Sequence, residues 1–178
     1  MKPLFPSYEL SWRTAEDRKF LKSSAWRKIR FRILERDDFT CAYCGFRSEK
    51  GQHVNHINGD PKNNDDSNLE TICPDCHKVT HAGLWVVKKR TMKLFAKSKY
   101  SQNEIIRITR EMRSQGKDDD EIIRFLGLEE PMPWIQGLDY LRSLYAFNTS
   151  ATPVETPRPL LTEEEQRKRI MNKDNDGM

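Results

Sequence analysis

Cysteine and histidine are both scarce here, at four of each in 178 residues. So few cysteines exclude a disulfide-dense secreted scaffold. Also missing is any apolar run near the roughly 18 residues that a membrane-spanning helix needs. The N-terminal stretch MKPLFPSYELSWRTAEDRK has no apolar core of the kind a secretory leader carries. These absences predict a soluble, cytoplasmic protein with no membrane partner, in which cysteines stay reduced and serve as ligands. Hydrophobic residues make up only 36% of the chain against 33% charged, with a mean hydropathy of -0.84. A chain so polar buries one modest core, for which a metal staple would be useful. No internal repeat or long low-complexity tract is present.

What is present is crowded into one window. HVNHINGDPKNNDDSNLETICPDCHKVTH, residues 53–81, holds every histidine: His53, His56, His77 and His81. Cys41-x2-Cys44 and Cys73-x2-Cys76 use every cysteine, with 28 residues between the two hooks. A two-residue spacer lets both thiolates of a hook reach one ion, and two hooks complete a tetrahedral zinc site. Disulfides or a redox pair are the alternatives. Zinc closed by four thiolates would be structural, so it leaves the histidines unexplained. Charge is uneven as well: residues 1–100 sum to +8 and residues 101–178 to -4. Excess cations around the window suit an anionic partner, with DNA foremost, or else form a solvated surface.

Local patterns divide the chain into an N-terminal extension (1–23), a core (24–87), a basic connector (88–100), a helical unit (101–148) and a flexible tail (149–178). Thr14 is positioned to cap a short helix, and Ser24 to cap a second, whose apolar residues Trp26, Ile29, Ile33 and Leu34 recur at helical spacing. Arg27 and Arg30 on that helix are candidate DNA contacts. A strand around 52–57, an Asn/Asp/Gly-rich loop, a strand LETIC and a helix beginning near Pro74 follow. Lys62, Lys78, Lys88, Lys89 and Arg90 are further candidate phosphate contacts, each with the alternative of being merely solvated. Residues 101–116 read as a helix capped by Ser101 with Glu104 at capping-box spacing and stopped by Gly116. DDDEIIRFLGL and PWIQGLDYLRSLYAF read as two more helices, giving a helix-turn-helix-like unit whose third segment is too apolar for a typical reading helix. From Thr149 the Pro/Thr-rich tail begins, with a frayed helix expected at TEEEQRKRIMN.

The pattern Asn55-His56, Asn68-Leu69, Cys73-x2-Cys76-His77 resembles the HNH endonuclease family, and WRKIRFRILERDDFTCAYCG is similar to the lead-in of its four-cysteine branch. The resemblance covers about residues 24–85. It implies an α+β fold: a small ββα-metal core stapled by the four-cysteine zinc site, preceded by a basic helix and followed by a small helical C-terminal unit. It further implies His56 as general base, His77 as a ligand of a catalytic ion, and Asn68 as the residue that ties the loop and helps hold the base. His81, one helical turn beyond His77, can face the same ion. The chain departs from the family at Asn55, where Asp or His is usual; an amide oxygen can ligate but brings no charge. Two histidines with one oxygen suit Zn²⁺, Ni²⁺ or Mn²⁺ at least as well as Mg²⁺. His53 reads as an ordinary partly exposed histidine, with an outer role near the ion as the alternative. Asp60, Asp65 and Asp66 shape the loop.

The function so implied is metal-dependent hydrolysis of DNA phosphodiester bonds, leaving 5′-phosphate and 3′-hydroxyl ends. A monomer would nick, and a homodimer would break both strands. The competing expectation is a non-catalytic zinc-stapled DNA-binding module, which needs the cysteines but has no use for His56, Asn68 and His77 together.

Overall fold

Capping sets the first two helices. Thr14 accepts a hydrogen bond from the Asp17 amide while Asp17 accepts one from the Thr14 amide, opening α1, Ala15–Phe20. Helix α2 spans Ser24–Arg36, and its cap is Ser23, one residue before the expected Ser24, accepting from the Trp26 amide at 3.1 Å. Trp26, Ile33 and Leu34 are buried on one face of α2, against Val54 and Leu69. Ile33 is wholly buried, so Ile33→Ala would cost about 2–5 kcal/mol. This computed structural model describes residues 1–7 and 14–150; the frayed helix expected at TEEEQRKRIMN lies outside them.

Strands β1, His53–His56, and β2, Leu69–Ile72, pair antiparallel, with His53 opposite Ile72 and His56 opposite Leu69. Helix α3, Pro74–Thr80, follows directly, with Cys73 as its cap and proline in the first turn, where its missing N–H costs nothing. Strand, loop, strand, helix is the expected ββα order. The intervening loop is folded by its own short polar side chains. Asn58 accepts from the Asp60 amide and Asp60 from the Lys62 amide, both at 2.9 Å, and Asn63 accepts from the Asp65 amide at 3.2 Å.

Beyond α3 the chain makes a π-helical turn over Leu84–Lys89, then strand β3, Met92–Lys97. Helices α4, Gln102–Ser114, and α5, Asp119–Leu126, each open on a capping box, Ser101 with Glu104 and Asp118 with Glu121. Gly127 closes α5 at φ +60°, where a Cβ would also strike the Lys99 side chain at 2.7 Å. Two expectations about secondary structure change here. Residues 88–100 contain a strand whose two faces are both used, Met92 and Leu94 packing into one buried cluster and Phe95 into another. The third helix is reduced to α6, Leu138–Arg142, between strands β4, Glu129–Met132, and β5, Tyr145–Asn148. Pro131 and Pro133 cannot sustain a helix ladder, and Tyr145–Asn148 pairs with β3 instead. The sheet order is β4-β3-β5, all antiparallel, so the C-terminal part is mixed α and β rather than purely helical.

One cluster of buried side chains joins both parts: Ile72, Val79, Ala82 and Val86 pack with Met92, Leu94, Ile106, Leu141 and Ala146. Leu4 enters the same cluster, and its amide is held by the Asn103 side chain at 3.0 Å. Among the described residues no helix is long and apolar enough to cross a membrane.

Candidate functional site

The four cysteine Sγ atoms lie within 4.8 Å of one another and all four residues are buried. Cys44 and Cys73 Sγ are 3.6 Å apart, far beyond the roughly 2.05 Å of a disulfide and close to the edge of a tetrahedron with Zn–S bonds of about 2.3 Å. The donor set therefore fits zinc, and four cysteines placed to hold it are a property of this fold. The first hook is a turn in which the Gly45 amide returns to the Cys41 carbonyl at 3.0 Å, made possible by Gly45 at φ +72°. The Ala42 amide fastens this turn to the Thr71 carbonyl of β2.

Four thiolates around a divalent ion leave two net negative charges, and a cation from the C-terminal part faces them. Arg110 of α4 reaches Cys73 Sγ at 3.3 Å, Cys44 Sγ at 3.7 Å and the Asp75 carboxylate at 3.1 Å, with its guanidinium over the Phe46 ring. Burial works against its charge, but the bond to Cys44, the field of Cys73 and the Asp75 pair hold the guanidinium above its ordinary pKa. Zinc binds thiolates, so loading the site displaces the thiol protons.

The histidines are arranged along two faces of β1. His56, at the strand end, is buried and stacked on the Trp26 indole of α2, with ring centroids 5.6 Å apart and 13° between planes. Its Nε2 meets Asn64 Oδ1 at 3.2 Å, and the Asn64 amide nitrogen is spent on the Lys62 carbonyl. An amide oxygen accepts, so His56 donates from Nε2 in this contact. Asn68 ties the loop as expected: Oδ1 accepts from the Asn58 amide at 3.1 Å, and Nδ2 donates to Asn58 Oδ1 at 3.0 Å and the Asn63 carbonyl at 2.8 Å. On the other face, His77 Nε2 and His81 Nε2 lie 3.0 Å apart, and His77 Nδ1 lies 2.8 Å from His53 Nδ1. Asn55 is buried, and its amide nitrogen donates to Glu70 Oε1 at 3.2 Å; Glu70 also accepts from Tyr43 and Lys2, each at 2.7 Å.

Residues 41–83 match the family model described as HNH endonuclease. This segment is an HNH domain. The chain is 36% identical over 66 residues to the type 4 apparatus protein DotN of Legionella pneumophila, covering 37% of this chain and 30% of that protein. It is 28% identical over 130 residues to the Zorya protein ZorE of Escherichia coli, covering 66% of this chain and 34% of that protein. The chain spans about a third of the length of these relatives.

Within the HNH domain the predicted residues fall into separate groups. The cysteines converge, His77 meets His81, and Asn68 closes the loop. Among the described residues the cysteines are the only group of three or more Cys, His, Asp or Glu side chains at metal-binding spacing. The predicted DNA contacts divide as well. Arg27, Lys62, Lys88 and Lys89 are exposed, whereas Arg30 donates to the Gln52 carbonyl at 2.5 Å and Lys78 lies over the Trp85 ring at 5.1 Å. Arg90 closes the π-helical turn at φ +53°. Sequence reasoning missed Arg110, the Trp26 stack on His56, and His53 as the neighbour of His77. Only His53 left a signal: it lies two residues before Asn55, hence on the same strand face.

Proposed function

We propose that this chain is a metal-dependent DNA endonuclease that hydrolyses phosphodiester bonds, leaving 5′-phosphate and 3′-hydroxyl ends. The observation that carries the reading is one HNH hairpin bearing His56 held by Trp26 and Asn64, a loop tied by Asn68, and the paired Nε2 atoms of His77 and His81. His56 takes a proton from the attacking water at Nδ1, which requires a neutral imidazole near pH 7. Trp26 fixes the plane of that ring and Asn64 fixes its tautomer. His77 and His81, with Asn55 as the third candidate ligand, would hold one divalent ion, Mg²⁺, Mn²⁺, Ni²⁺ or Zn²⁺, and that ion would offset charge on the scissile phosphate. Exposed Arg27, Lys62, Lys88 and Lys89 supply phosphate contacts, with Arg30, Lys78 and Arg90 at their margins. A monomer nicks DNA and a homodimer cuts both strands. Reduced cysteines suit work in the cytoplasm.

The second reading, a zinc-stapled DNA-binding module without catalysis, is favoured by the cysteines being the only group of three or more Cys, His, Asp or Glu side chains at metal-binding spacing among the described residues. Supercoiled plasmid separates the two. With added Mg²⁺, Mn²⁺, Ni²⁺ or Zn²⁺, the nuclease converts it to open circles and His56→Ala does not. Binding by both proteins with cleavage by neither supports the module.

A further inference from the structure

His77 has a neighbour at each ring nitrogen, and the two neighbours differ in kind. His81 belongs to the same rigid turn: it is the C-cap of α3, four residues on, with its Nε2 3.0 Å from His77 Nε2 and the ring centroids 4.7 Å apart. The start of that helix is held by Cys73 and Cys76, so the relative placement of His77 and His81 is set by the zinc module. His53 comes from β1, is exposed, and meets the opposite edge of the ring, Nδ1 to Nδ1 at 2.8 Å with the planes at 80°.

We propose that His53 is a positioning residue for the ion held by His77 and His81, acting as the hydrogen-bond acceptor that keeps the His77 proton on Nδ1. Two ring nitrogens 2.8 Å apart share one proton. With that proton on His77, its Nε2 carries the lone pair and would be available as a ligand beside His81 Nε2, 3.0 Å away. With the proton on His53, His77 would carry its hydrogen on Nε2 and could not ligate there. Histidine ligands depend on such a partner at the other nitrogen to fix tautomer and ring angle. The strand alternation that puts His53 and Asn55 on one face accounts for how a histidine two residues upstream comes to serve the ion.

This assignment rests on the His77–His81 ion of the proposed function, and metal binding tests it without reference to cleavage. The full chain, with its zinc content verified, is titrated with Ni²⁺ by calorimetry. His81→Ala should abolish the binding heat. His53→Ala should weaken Ni²⁺ by about 10–100-fold. His53→Asn should restore most of the affinity, because an asparagine carbonyl oxygen sits where histidine carries Nδ1. Nitrogen-15 spectra of the zinc-loaded protein should show His77 protonated at Nδ1 in wild type and His53→Asn, and a mixture of tautomers in His53→Ala. Unchanged affinity in His53→Ala, no recovery in His53→Asn, or a His77 proton on Nε2 would each overturn the proposal. The two readings fail separately: Ni²⁺ binding as described with intact plasmid removes the nuclease, and nicking with a His53-independent ion removes this role.

Discussion

Helix α3 and its caps carry metal-capable side chains of two kinds, cysteines at its start and histidines further on, and their surroundings are opposite. Cys73 and Cys76 are 0% exposed, enclosed by the other hook, by Ile72 and Val79, and by Arg110 from α4. His77 and His81 lie half out of the surface, and His53 beside them is exposed. Burial removes water from the thiolates and leaves charge to be answered by protein, which Arg110 does. The histidine side stays open to solvent and lacks the fourfold convergence of the cysteine site. A seven-residue helix is too short to hold its own shape; the buried end gives the open end its rigidity.

Removing a ligand from the buried end should have the largest effect. In small zinc modules the bound ion contributes on the order of 10 kcal/mol to folding. Cys76→Ser should therefore lose its zinc and the helical signal of the HNH domain together, by metal analysis and circular dichroism. Next in size is the strand end: His56→Ala should retain zinc and melting behaviour yet lose about 10²–10⁴-fold in plasmid nicking. A smaller effect falls on the link between the two parts. Arg110→Met should release zinc to a chelator about 10-fold faster than wild type, with Arg110→Lys between them, since lysine cannot fork to two sulfurs and Asp75. The smallest concerns the brace between α2 and β2. Burial opposes its charge, but Asp37 is kept below the usual carboxylate range by Arg36 and by the Thr71 amide, which it accepts at 2.8 Å. Asp37→Asn should lower the urea midpoint at neutral pH by the equivalent of about 1 kcal/mol with zinc retained.

The same contrast separates what could be read along the chain from what could not. The hooks, the caps at Thr14 and Ser101, and the ββα order are local, written in short spacings, and they appear where those spacings put them. Strand β3 was hidden because Lys93 and Lys97 flank Phe95 in the chain's most basic run, which masked the apolar positions Met92, Leu94 and Phe95. Of the helix expected over 133–147 only Leu138–Arg142 forms, and its last residues, 145–147, pair with β3 instead, a tertiary choice. Arg110 lies 66 residues from Cys44 and 37 from Cys73, and nothing in its own helix marks it as a partner of sulfur. Of the candidate site, residue types and the loop tie were legible; which nitrogen faces which neighbour was not, because that depends on packing across β1 and α2.

On the proposed function, the buried cysteines hold a structural ion while the open histidines work with an exchangeable one. The direct measurement is plasmid nicking by the full chain before and after brief treatment with a mild chelator, with zinc quantified at each stage. Nicking should disappear while one zinc per chain remains, and should return when Mn²⁺ or Ni²⁺ is added to wild type but not to His56→Ala. Nicking that survives the treatment, or that returns equally in His56→Ala, would contradict it.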